Sequence, residues 1–383
     1  MLRKILLISL GLMFCYTALA QDTTHVKPKK TFWSYFGVTP LDDTVAVHKN
    51  GLFVTPLIYY SPDTRWGFGG AGAYVFHLND KKDTTDFTRA SYVRFLADYT
   101  MNKQTDVWTD WSIFTRQERY YFKGELRFRN FPDKFYGIGK DTPASNKESY
   151  EYNLISFKFL ALRKIYEKFF VGLDYHFENE FGFKLSEGGQ LEEGTITGYR
   201  GGIGSAFGFV SIYDTRDNVL NCHGGEFAEF STYFHNRAFG STFSFSVVQG
   251  EFNKYWQINP KHIIAWQTKT RFTFGDVPFL DMSIAGNEDM LRGYPKNRFR
   301  DNHFMGTQVE YRFPLFWRFG MTTFAGFGDV FSRPQDLSWR TTKYTVGAGL
   351  RFMVNSAERL NIRLDYGYGS QGGYFWFSVA EAF

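Results

Sequence analysis

The sequence predicts an all-β protein, a transmembrane antiparallel β-barrel of sixteen strands. Three observations support this fold class: a secretory leader with no later apolar run that could form a spanning helix, an excess of aromatic residues, and runs of alternating apolar and polar residues. Aromatic residues make up 20% of the 383 residues, with 44 Phe and 24 Tyr, yet the mean hydropathy is slightly polar at −0.33. An apolar lipid-facing surface, aromatic girdles and a polar lumen produce this composition together.

The first twenty residues are typical of a secretory signal peptide. Basic residues at 3–4 precede a mostly apolar run over 5–16, and the small residues Ala18 and Ala20 lead to Gln21. The alternative is an uncleaved anchor helix, but a spanning helix needs about 20 apolar residues, more than this run provides. We therefore expect cleavage near Ala20–Gln21 and delivery to the outer membrane of a Gram-negative-type cell.

Residues 21–49 are polar and aperiodic, and we interpret them as a short periplasmic segment before a barrel over 50–383. Of the two cysteines, Cys15 lies in the leader, so cleavage would leave Cys222 as a single thiol without an intrachain disulfide partner. The formal charge of +5 is scattered, which argues against a nucleic-acid surface. No metal-ligand spacing or phosphate-binding glycine loop is evident, so we expect neither metal nor cofactor.

Period-two alternation is clearest in 168–178. The apolar set there is Phe169, Val171, Leu173, Tyr175 and Phe177, and the opposite set is Gly172, Asp174, His176 and Glu178. The segments 342–352 and 360–366 repeat the pattern. A tilted strand of about 9–11 residues crosses the hydrocarbon layer, so each run has the right length. A soluble sandwich can alternate too, but it does not require this aromatic excess.

Sixteen such runs occur along the chain, an even number, as bacterial single-chain barrels require. We expect strands near 50–60, 66–78, 87–100, 104–116, 119–129, 150–162, 168–180, 198–212, 224–236, 240–255, 260–272, 304–313, 318–331, 342–354, 358–368 and 373–383. Backbone polar groups cannot stay unpaired in lipid, so the first strand should close against the last.

The lengths of the connections predict the topology. With the N-terminus in the periplasm, the segments 130–149, 181–197, 273–303 and 332–341 all face outward, and all are long. The connections 163–167, 256–259, 314–317 and 355–357 all face the periplasm, and all are short. Long outer loops and short periplasmic turns are typical of outer-membrane barrels, so this asymmetry supports the strand assignment.

Four motifs, in order, resemble a known family. Residues 290–294 read Met-Leu-Arg-Gly-Tyr, which is similar to the [V/L/I]-R-G-[F/Y] motif of the BamA/TamA/FhaC-like outer-membrane insertase and translocator superfamily. Segment 214–225 resembles its D-x-R-D-N…G periplasmic turn, and segments 310–314 and 324–330 resemble its E-[YL]-R-[FV]-P and F-x-D-x-G-x-V strands. The turn motif places Asp214, Arg216 and Asp217 on the periplasmic side. A lone Arg-Gly-Tyr is weak evidence, whereas the ordered set across about 50–383 is specific.

The resemblance implies that the sixth outer loop folds into the lumen with Arg292, Gly293 and Tyr294. Arg292 should then meet Glu310, which the alternation of its strand places on the luminal face. An enclosed guanidinium needs such a carboxylate partner. The alternative is that Arg292 is a solvated loop charge.

A second acid of the family pattern is absent from this chain. The corresponding position is Gly326, so the resemblance leaves one contact of Arg292 unassigned. Asp329 and the luminal Asp365 are both candidates to replace that acid, and the sequence does not choose between them.

The last strand resembles the signal that the barrel assembly machinery reads during biogenesis. The matching residues are Gly372, Phe375 and Phe377, with Phe383 as an aromatic residue at the end. Glu381 shares the parity of Phe383, and we expect it at the rim of the barrel. The alternative is an ordinary closing strand.

The resemblance implies a barrel that assists insertion or translocation of a protein or lipid-linked substrate through a seam between its first and last strands. Family members usually carry POTRA domains before the barrel, and residues 21–49 are too few for one, which departs from the family. The alternatives are a passive pore or scaffold, and an outer-membrane hydrolase, for which no Ser/His pairing is evident. Expected partners are outer-membrane lipids, the barrel assembly machinery and a periplasmic protein of unknown identity.

Overall fold

A computed structural model describes residues 51–61, 65–76, 78, 88–89, 91–356 and 359–383. The signal peptide and periplasmic segment expected over 1–49 lie outside these described residues and stay predictions. Within the described part of the chain, no helix is long and apolar enough to cross a membrane.

The sheet is antiparallel throughout, and its sixteen strands confirm the predicted number. The first eight strands are β1 (Gly51–Ser61), β2 (Arg65–Phe76), β3 (Ser91–Thr100), β4 (Thr105–Phe114), β5 (Tyr120–Phe135), β6 (Glu148–Tyr166), β7 (Phe169–Leu185) and β8 (Gly202–Asp214). The rest are β9 (Gly225–His235), β10 (Phe245–Asn259), β11 (His262–Gly275), β14 (His303–Phe316), β15 (Phe319–Phe331), β16 (Lys343–Asn355), β17 (Leu360–Gly369) and β18 (Gly372–Val379). Between β11 and β14, the short strands β12 (Ser283–Ala285) and β13 (Phe299–Asp301) form a separate hairpin. Single 3-10 turns occur at Arg116–Glu118, Ala144–Asn146, Arg237–Phe239 and Pro334–Asp336.

Three neighbouring strands, β5, β6 and β7, are several residues longer than the alternation predicts. β5 continues past 129 to Phe135, where it is still paired with the start of β6 at Glu148, and β7 continues past 180 to Leu185. In these extensions the strands stay paired, although the alternation that places apolar residues on the lipid-facing side has ended. Closure of the barrel through β1 and β18 stays a prediction, since no ladder among the described residues joins these two strands.

The two faces of the sheet differ as the alternation predicts. On β7, Leu173 is 55% exposed on the outer face while the neighbouring Asp174 is only 7% exposed. On β17, Leu364 and Tyr366 are 44% and 41% exposed while Asp365 between them is fully buried. Apolar side chains therefore cover the outside, and polar side chains are enclosed in the lumen, as in a lipid-embedded barrel.

The connection 276–302 between β11 and β14 occupies the lumen, and we refer to it as the luminal loop. Its apolar side chains are buried against the inner faces of β14 and β15 in one cluster. That cluster consists of Ala285, Met290, Leu291, Tyr294, Phe299, Phe304 and Val330. A second cluster joins Phe279 of the loop to Phe135, Tyr150, Tyr152 and Leu191. The long loop is therefore packed into the barrel interior at both of its ends.

Candidate functional site

The backbone of the luminal loop lies directly on the inner face of β17. A Cβ added to Gly367 would lie 2.5 Å from the carbonyl carbon and oxygen of Arg292. A Cβ added to Gly293 would lie 2.6 Å from the nitrogen of Gly369. Such separations are impossible for real Cβ atoms, so glycine is required on both sides of this contact. Leu291, fully buried and with a φ of 57°, turns the chain into this position.

The side chain of Arg292 is fully buried between three strands. Its Nη2 atom lies 2.5 Å from Oε1 of Glu310 on β14, and its Nη1 atom lies 2.7 Å from Oδ2 of Asp365 on β17. Nη2 also donates to Oε1 of Gln308 at 3.3 Å. The guanidinium carbon lies 3.5 Å from the ring centroid of Phe324 on β15, a cation–π geometry. The contact expected between Arg292 and Glu310 is therefore present, and the solvated alternative is wrong.

Asp365, and not Asp329, is the second acid that meets Arg292. Asp329 bonds instead to Lys343, with 3.0 Å between its Oδ1 atom and Nζ. The family's usual acid position cannot hold a side chain here, because a Cβ on Gly326 would lie 2.8 Å from the Cβ of Gln308. β15 contributes the aromatic face of Phe324 to the site, and the missing carboxylate comes from β17.

Further charges extend the site toward the end of the barrel that carries the short turns. Glu310 Oε2 lies 2.8 Å from Nη2 of Arg312, and Asp365 Oδ1 lies 2.5 Å from Nη1 of Arg351. The buried Arg363 pairs at 3.0 Å with Asp289 of the luminal loop, whose side chain is 45% exposed. The connected ionic side chains are Arg292, Arg312, Arg351 and Arg363, and Asp289, Glu310, Asp365 and Glu381. Four positive and four negative charges balance, which is the condition for ionic groups to persist in an enclosed interior.

The luminal loop also fastens the last hairpin. Nε1 of Trp376 on β18 donates to the carbonyl oxygen of Arg292 at 2.7 Å. The hydroxyl of Tyr294 lies 3.1 Å from Oγ of Ser370, and Arg298 Nε donates to Oε1 of Gln371 at 2.6 Å. Ser370 and Gln371 form the connection between β17 and β18, so the luminal loop holds the hairpin both at its inner face and at its turn.

The predicted turn motif lies between β8 and β9 and is closed by its own carboxylates. Asp214 accepts hydrogen bonds from the backbone nitrogen and from Nε of Arg216, at 3.1 and 2.9 Å. Asp217 accepts from the backbone nitrogens of His223 and Gly224 at 2.9 and 3.2 Å. Oδ2 of Asp217 also lies 2.5 Å from Nη1 of Arg359, in the connection between β16 and β17. The motif therefore ties two connections on one rim of the barrel together.

Ionisation of Asp217 is favoured by these contacts. Burial alone would raise the pKa of this carboxyl, but hydrogen bonds from Arg359, His223 and Gly224 outweigh it and lower the pKa to about 2. Cys222 shows the opposite behaviour, because burial and its bond to Asp217 raise the pKa of the thiol to about 12. Cys222 is a buried free thiol in the same turn and is protonated at neutral pH.

The chain leaves the sheet after β18 and turns into the lumen. Ala380 has a φ of 70°, and Glu381 then pairs with Arg351, with 2.7 Å between Oε2 and Nε. Glu381 lies at the mouth of the barrel, where its backbone N–H donates to the carbonyl of Leu220 in the turn after β8, but its side chain points into the lumen and is only 2% exposed. The ring of Phe383 packs against Tyr255 in a buried cluster that also contains Cys222 and Ala265. We refer to residues 380–383 as the inward tail.

The residues matched to the assembly signal fall into two groups. Phe375 and Phe377 are 64% and 55% exposed on the lipid-facing side of β18. Gly372 begins the strand with a φ of 116°, while Phe383 lies in the inward tail and contacts the lumen. Recognition of these residues during biogenesis stays a prediction.

Parts of the site were not predicted from the sequence. Phe324 occupies a luminal position of the alternation although it is apolar. The pattern therefore marks it as an exception and does not indicate a partner for a cation. Trp376 has luminal parity too, but its bond to a loop carbonyl depends on the path of the loop. Arg351 and Arg363 fall on the polar face that the alternation predicts. Their place on this face is the sequence feature that could have indicated them as site residues. Within the described residues, no group of three or more His, Cys, Asp and Glu side chains could hold a metal ion.

A sixteen-strand antiparallel sheet with an apolar exterior and a loop bound in its lumen by buried charges defines an outer-membrane β-barrel with an internal plug. The chain belongs to the Omp85 superfamily: the model of the Omp85 superfamily domain matches residues 53–383. This membership points to the outer membrane of a Gram-negative-type cell. A comparison with curated proteins gave no significant match.

Several solved structures have a similar fold. The chain is similar to BamA from Haemophilus ducreyi lacking POTRA domains 1-3, with a TM-score of 0.56 and 13% identity over 87% of this chain and 70% of that chain. It is also similar to CdiB from Escherichia coli, with a TM-score of 0.55 and 10% identity over 86% of this chain and 62% of that chain. CdiB from Acinetobacter baumannii gives a TM-score of 0.52 and 10% identity over 86% of this chain and 59% of that chain. This chain thus spans less than two thirds of either CdiB chain, and at these identities the likeness concerns the fold alone.

Proposed function

We propose that this barrel assists the insertion of a polypeptide or lipid-linked substrate into the outer membrane, or its passage across, through a seam between β1 and β18. The observation that carries the proposal is the fixation of the last hairpin on the luminal loop by Arg292, Tyr294 and Arg298. A loop that holds one side of a seam leaves the other side as the part that can move.

The two strands at the ends of the sheet differ in how they are held. β18 is bound along its inner face by the carbonyl of Arg292 and near its end by the pair between Glu381 and Arg351. β1 pairs with β2, and no ladder among the described residues joins it to another strand. Pro56, within β1, has no backbone N–H to donate to a ladder, which weakens pairing along this edge. These features support a soft seam whose opening presents backbone edges to an incoming strand.

The rival function is a passive pore or scaffold. The luminal loop opposes an open channel, because its apolar residues and the Arg292 side chain are fully enclosed in the lumen. A mechanical role requires no catalytic residue, and we do not propose an enzymatic one. The expected partners are the lipids around the barrel, the assembly machinery that inserts it, and a periplasmic protein that delivers substrate.

The test is a reversible lock on the seam. A disulfide across the seam needs two side chains that both point inward. Leu57 of β1 faces inward, but Phe375 of β18 faces outward and is unsuitable. We therefore combine Leu57→Cys with either Tyr374→Cys or Ser378→Cys, in a Cys222→Ser background. The full chain is reconstituted in liposomes, and an unfolded eight-stranded outer-membrane barrel is diluted from urea. Folding of this client is followed by its heat-sensitive mobility on semi-native gels. We expect the oxidised lock to slow folding of the client severalfold and a reductant to restore it.

The control is a disulfide elsewhere in the sheet. Val210→Cys and Ser231→Cys lie directly opposite each other on β8 and β9 with inward side chains, so they bridge neighbouring strands away from the seam. This pair should leave client folding unchanged. Equal activity of the locked and reduced seam, or no acceleration by the unmodified barrel, would contradict the proposal.

A further inference from the structure

The inward tail is held in the lumen at two of its residues. Both carboxylate oxygens of Glu381 are bonded, Oε2 to Nε of Arg351 at 2.7 Å and Oε1 to Nδ2 of Asn361 at 2.8 Å. The backbone oxygen of Phe383 accepts from Nη2 of Arg312 at 3.0 Å, and the guanidinium carbon of Arg312 lies 5.2 Å from the centroid of the Phe383 ring. We refer to Arg312, Arg351 and Asn361 as the tail site. A carboxylate, a carbonyl and an aromatic ring are thus each met by a group of matching chemistry.

Two carboxylates connect the tail site to the luminal loop. Asp365 uses Oδ1 for Arg351, at 2.5 Å, and Oδ2 for Arg292, at 2.7 Å. Glu310 uses Oε2 for Arg312, at 2.8 Å, and Oε1 for Arg292, at 2.5 Å. Each carboxylate therefore bridges one arginine of the tail site and Arg292. Two separate relays of ion pairs run from the tail to the loop and meet at the same guanidinium.

The groups along both relays are shielded from solvent. The side chains of Arg292, Glu310 and Asp365 are fully buried, and those of Arg312 and Arg351 are 6% and 5% exposed. Charges that are buried in this way are screened by salt much less than charges on a surface. A change of charge at the tail therefore acts on Arg292, and a change at Arg292 acts on the tail.

Loss of either end weakens the other. Without the Glu381 carboxylate, Arg351 keeps Asp365 as its ion-pair partner among the described residues, and it competes more strongly with Arg292 for that group. The enclosed network then carries one excess positive charge, which opposes burial of Arg292. Without Arg292 the excess charge is negative and opposes burial of Glu381. The tail and the loop therefore bind better together than either binds alone.

We propose that the inward tail is a built-in ligand of the tail site, and that its occupancy of this site is coupled to burial of Arg292. Release of either one then loosens the other by the same factor, because coupling between two binding events is reciprocal. Trp376 donates to the carbonyl oxygen of Arg292, so the coupling extends to the last hairpin. An effect on the seam rests on the proposed function, whereas the coupling itself does not.

The test follows the reaction of two thiols with a maleimide in the folded full chain. Cys222 reports on the tail, because Phe383 packs against the buried cluster that contains it. In a Cys222→Ser background, Met290→Cys reports on the luminal loop, since Met290 is only 3% exposed. Arg292→Gln should accelerate labelling of Cys222 about fivefold or more, although Arg292 lies outside the tail site. Glu381→Gln should accelerate labelling of Met290→Cys by a similar factor.

The matched control is Arg298→Gln, in the same loop. Arg298 is also buried, at 1% exposed, but it bonds to Gln371 and Thr142 and belongs to neither relay. Its substitution should leave labelling of Cys222 unchanged. Heat-sensitive mobility on semi-native gels checks that each variant is folded. If Arg292→Gln does not fold, Glu381→Gln decides the question through the reporter in the loop.

The two reporters distinguish coupling from independent binding. The proposal is overturned if Arg292→Gln leaves labelling of Cys222 unchanged, since the loop then loses its charge contacts without any effect on the tail. It is also overturned if Glu381→Gln leaves labelling of Met290→Cys unchanged, or if Arg298→Gln accelerates labelling of Cys222 as much as Arg292→Gln does. No step requires a substrate or an open seam, so these outcomes leave the proposed function standing.

Discussion

At the scale of the residue, Arg292 is the point where loop, wall and last hairpin meet. Its guanidinium is shared by Glu310, Asp365 and the ring of Phe324, so no single partner accounts for its burial. Removing one partner from a buried ionic pair costs about 3–5 kcal/mol when an uncompensated charge remains. Here the neighbouring arginines, Arg312 and Arg351, still contact the two carboxylates, which moderates the cost of losing Arg292.

This sharing predicts a strongly non-additive double-mutant cycle. Arg292→Ala leaves one excess negative charge in the lumen, and Glu310→Ala leaves one excess positive charge, so each should lower the heat resistance of the folded band on semi-native gels. The double variant restores the charge balance and should be little worse than either single variant. Arg292→Lys keeps the positive charge but should recover only part of the heat resistance, because an ammonium cannot span both carboxylates as a guanidinium does. Strictly additive losses would mean that the two side chains do not interact in the membrane.

A second prediction concerns the glycine contact beneath the motif. Gly367→Ala places a methyl group where the carbonyl of Arg292 now lies, so the luminal loop must shift and the barrel should lose heat resistance. The matched control is Gly204→Ala on the inner face of β8, where the nearest atom would lie at 3.7 Å and the contact is ordinary. Equal effects of the two substitutions, measured as the temperature at which the folded band disappears, would contradict close packing of the loop on β17.

At the scale of the element, the inward tail is a strap across one mouth of the lumen. It runs from β18 to the turn after β8, where Glu381 donates its backbone N–H to the carbonyl of Leu220 at 3.3 Å. At its end, Arg312 Nη2 donates to the backbone oxygen of Phe383 at 3.0 Å. Because Phe383 packs against the buried cluster that contains Cys222, reactivity of the thiol tests whether the tail is in place.

We expect Cys222 to react slowly with a maleimide in the folded mature barrel, since it is buried and its pKa is raised to about 12. Phe383→Ala and Glu381→Gln should each release the tail and accelerate labelling about tenfold or more. Phe375→Ala, which removes an outward aromatic of β18, is the control and should leave the rate unchanged. Fast labelling of the unsubstituted barrel would show that the tail does not rest on Cys222.

The turn motif predicts a pH dependence. A carboxyl whose folded pKa is lowered to about 2, from about 3.9 in an unfolded chain, adds stability above pH 4 that is lost as the pH falls toward 2. Asp217→Asn should therefore lower the unfolding temperature at pH 7, and the difference from the wild type should shrink between pH 4 and pH 2. Arg359→Gln removes the other partner and should give the same profile. A difference that stays constant over this range would rule out ionisation of Asp217 as its cause.

These elements also mark how far the sequence predicts the structure. Period-two parity assigned Asp174, Arg363 and Asp365 to the lumen, because each side chain of a strand points to a face set by its neighbours. Parity favours Asp365 over Asp329, because Asp329 lies an odd number of residues from the luminal Phe324 on the same strand, whereas Asp365 is itself luminal. The contact with Arg292 still depends on where the loop crosses the lumen. Parity failed beyond Val379, where the left-handed turn at Ala380 ends the alternation and carries Glu381 inward.

At the scale of the whole molecule, the sequence pattern predicts the number of strands in the sheet but not the contacts between side chains in the lumen. The number of strands follows from runs long enough to cross the hydrocarbon layer. The β12–β13 hairpin was missed because three-residue strands inside a long connection leave no periodic signal. The interior depends on side chains that are far apart in the sequence, as with Arg89 and Asp214, which are separated by 125 residues and lie 2.9 Å apart.

The central claim is that the seam beside the fixed last hairpin opens in the membrane, and the distance across it tests this most directly. Spin labels at the outward positions Phe68 on β2 and Tyr366 on β17 flank the seam, in a Cys222→Ser background and in liposomes. Labels at Leu173 on β7 and Trp256 on β10, also outward and three strands apart, are the control. Pulsed electron spin resonance should give two distances across the seam, with the longer one enriched by an unfolded client, and one distance for the control. A single narrow distance across the seam, unchanged by the client, would contradict the claim.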